Sequence, residues 1–103
     1  MIFEKRTYTL KPTTVPQYLK RWEKECLPII SKYGELIGCW QTESGKLNAV
    51  VFIWAYDNLS HRDEQRKKLK ADAEWKQASS WVGDYLVEQE SVFLTPTAFS
   101  PIS

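Results

Sequence analysis

Arg6 and Tyr8 stand two residues apart in a run, Ile2 to Leu10, along which side-chain character alternates. At a period of two, both project from one side of a strand. Around the glycine-bearing turn Glu43-Ser44-Gly45-Lys46, Trp40 precedes the turn, and Asn48, Trp54 and Tyr56 follow it at even spacing. If these sides coincide, a guanidinium, an amide and two phenols surround a space walled by indole rings. That chemistry suits a planar or carboxylated small molecule, with Arg6 serving an anion or a carbonyl. The same residues admit a structural reading, in which the aromatic rings are core, Arg6 pairs with Glu4 or a strand-four glutamate, and Asn48 closes the turn.

His61 is the sole imidazole and sits beside Arg62 at the start of a helix-like stretch. It is a candidate acid or base, imidazole being the side chain that changes charge near neutrality, or else an exposed first-turn residue. One histidine and two separated cysteines supply no metal coordination set, and no cofactor is called for. Cys26 and Cys39 lack a C-x-x-C spacing and read as buried free thiols. Ser60 adjoins His61, but adjacency along the chain does not make a triad. Glu88 and Glu90 read as a charged edge or rim. The basic run Arg62 to Lys70 is interleaved with Asp63 and Glu64, so it reads as a solvated helix face rather than a phosphate or nucleic-acid site.

Composition agrees. Fourteen Lys and Arg against thirteen Asp and Glu give a formal charge of +1, which argues against nucleic acid as a partner. The 103 residues suffice for one small core. No apolar run reaches transmembrane length, so no membrane partner is expected. The start, Met1-Ile2-Phe3-Glu4-Lys5-Arg6, has neither the basic-then-apolar order of a secretory signal nor the character of a transit peptide, and the expectation is a complete cytoplasmic protein.

The elements that would position these residues follow from periodicity. Strand one covers Ile2 to Leu10 and stops at Lys11-Pro12. Val15, Tyr18, Leu19, Trp22, Cys26, Ile29, Ile30 and Tyr33 fall on one helical face, with Thr13 or Thr14 as cap, a kink expected between Lys24 and Pro28, and Gly34 as a left-handed terminator. Leu36 to Tyr56 reads as a β-hairpin whose second strand is apolar on both faces. A second helix begins near Ser60, uses Leu69, Trp75, Ala78 and Val82 as its apolar face, breaks around Ala71 to Ala73 and ends at Gly83. Strand four spans Tyr85 to Leu94, Pro96 stops it, and the tail from Thr97 is irregular.

The order βαββαβ is that of a ferredoxin-like α+β fold, an antiparallel sheet with two helices on one face. The other face of Val50 to Tyr56 would then be wet in a monomer. At roughly 25 cal/mol per Å² of apolar surface, several exposed large side chains forfeit several kcal/mol. Pairing of two copies through that face removes the cost, so a homodimer is expected.

Several short matches occur in one order along the chain: Glu4-x-Arg6-x-Tyr8, Trp22, Gly38-x-Trp40, Glu43-x-Gly45-x-Leu47-Asn48, Trp54-x-Tyr56, Arg62 to Arg66, and Asp72 before Trp75. In this order the chain resembles the NIPSNAP family over nearly its whole length, although Ala73 stands where proline is expected. The resemblance implies a dimeric α/β barrel, a fold shared with small cofactor-free monooxygenases, haem-degrading enzymes and dehydratases, and attaches no general reaction to the domain. The resulting expectation is a homodimer binding a small aromatic or carbonyl-bearing molecule, with cofactor-independent monooxygenase or isomerase-like activity as its catalytic form. The alternative is a non-catalytic interaction module whose dimer is the functional unit.

Overall fold

The computed structural model describes residues 1–103. Alternation in the first run produces strand β1, Ile2–Leu10. Helix α1, Val15–Glu25, follows, with Pro16 in its first turn, and buries Val15, Tyr18 and Trp22. Pro28 has the expected effect: the helix stops at Glu25, turns at Cys26 and resumes as α2, Leu27–Ile30. The hairpin comprises β2, Glu35–Gln41, and β3, Ala49–Tyr56, and Gly45 in its turn has φ +72°.

The second helical segment also divides where large apolar residues run out. Helix α3, Leu59–Ala71, and helix α4, Ala73–Ala78, meet at the extended residue Asp72. Asp72 caps α4 by accepting from the Glu74 and Trp75 amides, and it also accepts the Tyr33 hydroxyl at 2.6 Å. The cap of α3 is Asn58, which accepts from the His61 amide at 2.8 Å. The helix therefore starts one residue before the expected Ser60. A 3-10 turn at Val82–Asp84 leads into β4, Leu86–Leu94, one residue later than expected because Tyr85 still belongs to the turn, where it packs on Trp81.

The sheet order is β2-β3-β1-β4 with every pair antiparallel, the ferredoxin-like arrangement. Register places Glu4 opposite Trp54, Arg6 opposite Phe52 and Tyr8 opposite Val50, so the even-numbered residues of β1 and β3 share a face. Helices cover that face, and Val50, Phe52, Trp54 and Tyr56 join Tyr18, Trp22, Cys26, Ile30 and Leu69 in one core.

Three further expectations require correction. Gly34 does not adopt a left-handed conformation. It is small for another reason: a Cβ there would lie 3.2 Å from the Trp54 ring and 3.3 Å from the Tyr56 hydroxyl. Gly34→Ala is therefore expected to cost about 1 to 3 kcal/mol through overpacking, measured as a lower urea midpoint with unchanged slope. Cys39 is exposed, because edge strand β2 is only partly covered, whereas Cys26 is buried. Thr14 precedes α1 but its hydroxyl donates backward to the Lys11 carbonyl at 2.6 Å, leaving the helix without a side-chain cap.

Candidate functional site

Between the sheet and the helices lies a partly open cavity of about 290 Å³. Its floor is Arg6 and Tyr8 from β1, Phe52 and Trp54 from β3, and Gln89 from β4. Helices form the roof: Tyr18 and Trp22 from α1, Arg66 from α3 and Trp75 from α4, with Val82 and Gly83 of the 3-10 turn completing the wall. The aromatic walls brace one another. Trp22 lies 4.6 Å from Phe52 and 6.5 Å from Trp54 between ring centroids, and Phe52 stacks on Trp54 at 6.3 Å.

A polar network underlies the floor. Glu4 has no exposed surface, and its carboxylate accepts from Arg6 Nη1 at 2.8 Å, Arg62 Nε and Nη2 at 3.1 and 2.8 Å, and Ser91 Oγ at 2.6 Å. Burial alone would raise its pKa. The donors Arg62, Ser91 and Arg6, with the Arg6 charge, outweigh burial and bring it down from 4.5 to about 2. Arg6 Nε also donates to the Tyr8 hydroxyl at 2.8 Å, which leaves the Tyr8 proton free to donate onward. Arg6 thus lines the cavity and pairs with Glu4 at once, so both sequence readings of this residue describe part of its position.

Of the residues singled out by spacing, Arg6, Tyr8 and Trp54 come together at the cavity. Tyr56 lies on the same face of β3 but borders a separate open depression together with His61, Gln65 and Gly34. His61 packs edge-on against Tyr56 at 5.9 Å, and its Nδ1 accepts from the Asp57 amide at 3.2 Å, away from the cavity. Asn48 takes φ +61° at the end of the hairpin loop, and its carbonyl accepts from the Leu10 amide of β1 at 2.8 Å, while the turn itself is closed by the Thr42 amide donating to the Ala49 carbonyl at 3.0 Å. Trp40 is on the other face of the sheet. The register of β2 shifts between Leu36 and Gly38, Ile37 being the extra residue, and that single insertion reverses the side on which every later residue projects.

Tyr18, Trp22 and Trp75 enter the site from helix faces that sequence assigns only to the core. Arg66 was hidden among solvated charges. Its signal is spacing: it lies four residues after Arg62 and three before Leu69, on the α3 face that Leu69 buries. The cavity wall contains no Asp or Glu, and no cluster of His, Cys, Asp or Glu in the protein could hold a metal. No helix is long and apolar enough to cross a membrane.

Comparison with known proteins places this architecture. A crystal structure of an uncharacterized NIPSNAP domain protein from Burkholderia xenovorans superposes with a TM-score of 0.96 at 50% identity, over 98% of this chain and 99% of that one. A Nitrosomonas europaea protein, named as a candidate antibiotic biosynthesis monooxygenase, shares the fold at a TM-score of 0.68 and 14% identity, covering 93% of this chain and 98% of its own. Protein NipSnap homolog 3A of Homo sapiens is 40% identical over 78 residues, 75% of this chain and 31% of that protein. The chain spans about a third of the length of the human relative. The NIPSNAP family model matches residues 3–101, and with these sequence and structural likenesses the chain belongs to the NIPSNAP family.

Proposed function

We propose that this NIPSNAP protein is a homodimer that binds a small planar molecule bearing a carbonyl or carboxylate group in the cavity between sheet and helices. The observation that carries this reading is the cavity itself. About 290 Å³ stays open amid aromatic rings in a domain small enough to have filled it, at the lower end of the size range of ligand pockets, roughly 300 to 1,000 Å³. Its catalytic form is a cofactor-independent isomerase-like or monooxygenase activity. The Tyr8 hydroxyl, held by Arg6, supports a hydrogen bond to a carbonyl or enolate oxygen of the bound molecule.

The outer face of the sheet supports the dimer. Trp40 is 53% exposed, Val92 38% and Leu94 41%, and with Val51 and Ile53 they form an apolar surface onto which the C-terminal tail brings Ile102. A second copy is the partner that fits, since two such faces are complementary by symmetry. The interaction-module reading draws support from the same surface and from the engagement of Arg6 by Glu4.

Gly83 offers the test. It lines the cavity, and a Cβ there meets no heavy atom within 4 Å. Gly83→Trp is expected to leave the fold intact while its indole blocks the mouth of the cavity, where the exposed Gly83 sits. Thermal denaturation against a panel of small aromatic acids and ketones should show stabilisation of the wild type, about 2.7 kcal/mol at a concentration a hundred times Kd, and none of the variant. Absence of stabilisation of the wild type by any compound would favour the interaction-module reading.

A further inference from the structure

We infer that Arg66 and Tyr18 form an anion anchor inside the cavity, and that its ligand is an aromatic monocarboxylate. This rests on the cavity reading and narrows it to one charge and one shape.

Arg66 is the cation of α3 that is drawn into the cavity wall without a partner, whereas the unpaired Lys67 and Lys70 are exposed. Arg62 is engaged by Glu4 and Asp63, and Lys68 lies 3.9 Å from Glu64, yet the half-buried Arg66 makes no hydrogen bond or ion pair. Charges beneath it are already matched: Arg6 and Arg62 stand against Glu4 and Asp63. Arg66 is therefore the uncompensated cation of a wall that contains no carboxylate. Burial lowers its pKa, and the Arg6 charge acts in the same direction. A half-buried guanidinium with five donors and no partner in the protein is matched to an acceptor that arrives from outside.

The second observation is independent. Tyr18 has no exposed surface, lines the same cavity, and its hydroxyl has no hydrogen-bond partner. Buried hydroxyls are nearly always paired, so an orphan on a residue of the cavity wall is a donor left for a bound acceptor to satisfy. Burial raises the Tyr18 pKa, which keeps the group protonated and a donor.

Charge and shape then select the ligand. One unmatched cation fits one negative charge, and a planar carboxylate matches the guanidinium fork. The remaining walls, Trp22, Phe52, Trp54 and Trp75, are flat and apolar and suit an aromatic body. Tyr8 and Gln89 stay available for a further substituent.

Benzoate and benzamide, identical in shape and different in charge, are the probes, with binding read from quenching of the cavity tryptophans and by calorimetry. Benzoate should bind at least tenfold more tightly than benzamide. Arg66→Gln should remove that preference, Tyr18→Phe should weaken benzoate several-fold, and Arg66→Lys should recover part of the Arg66→Gln loss. Because Arg66 has no protein partner, Arg66→Gln should not lower the unfolding midpoint, whereas an arginine held for structure would. Equal binding of benzamide and benzoate, or benzoate binding unchanged by Arg66→Gln, would overturn the anchor and leave the pocket reading standing. Failure of both probes to bind, together with failure of the wider panel, would overturn both.

Discussion

Glu4→Ala is expected to cost about 3 to 5 kcal/mol, because it strands charges rather than merely removing one. Glu4 is fully buried and accepts from two guanidinium groups and the Ser91 hydroxyl. Alanine would leave Arg6 beside an apolar cavity with only Tyr8 to satisfy it. Total stability for a domain of this size is about 5 to 15 kcal/mol, so this one side chain supports a large fraction. Urea denaturation at pH 7 measures it. A loss below about 1 kcal/mol would show that Arg6 and Arg62 reach solvent and that the network is dispensable.

The pH dependence carries the same argument with a definite sign. The Glu4 pKa in the folded protein is about 2, below its ordinary value of 4.5, so the carboxylate favours the native state. Its contribution is complete above about pH 4.5 and disappears as pH falls toward 2. The wild type should therefore lose stability steeply over that window, and Glu4→Gln, already neutral, should lose less over the same interval.

Ile53→Lys is expected to convert a dimer into a monomer with the fold retained. Ile53 lies on the face of central strand β3 that no helix covers, and its cross-strand neighbour there is Lys5. A lysine at this position meets another cation instead of a carboxylate. In a two-fold interface the change occurs twice, and at about 2 kcal/mol for each desolvated charge the association constant falls about a thousandfold. Sedimentation at micromolar concentration should show the wild type as a dimer and the variant as a monomer, with benzoate binding kept because the cavity lies on the opposite face. A monomeric wild type would sink the homodimer proposal and require another cover for Trp40, Val92 and Leu94.

Where local pattern controls structure, the amino-acid order is a reliable guide. Alternation in Ile2–Leu10 and Ala49–Tyr56 fixes which side chains share a side, which is why Arg6, Tyr8 and Trp54 meet at one cavity. Pro28 and the small residues around Asp72 mark the helix breaks for equally local reasons. Trp40 shows how such reasoning fails. Its parity is right for an unbroken strand, but the extra residue at Ile37 turns it to the far side, and the one local mark of the bulge is the interior glycine Gly38 beside it. Gly34 shows a second kind of failure, since its small size answers to Trp54 and Tyr56, about twenty residues away in sequence.

Arg66 and Glu4 mark the boundary most clearly. In sequence, Arg66 is one base among many in a charged helix, and Glu4 is one acid in an alternating strand. Periodicity and propensity determine the βαββαβ order and the core face of the unbroken elements, because these depend on side chains a few residues apart, and the short matches in their order along the chain carry the family resemblance. The pairing of Glu4 with Arg62 across 58 positions, the isolation of Arg66, and the orphan hydroxyl of Tyr18 were decided only when sheet and helices packed. A charge acquires or lacks a partner according to what lies within about 4 Å in space, and chain order does not encode that distance.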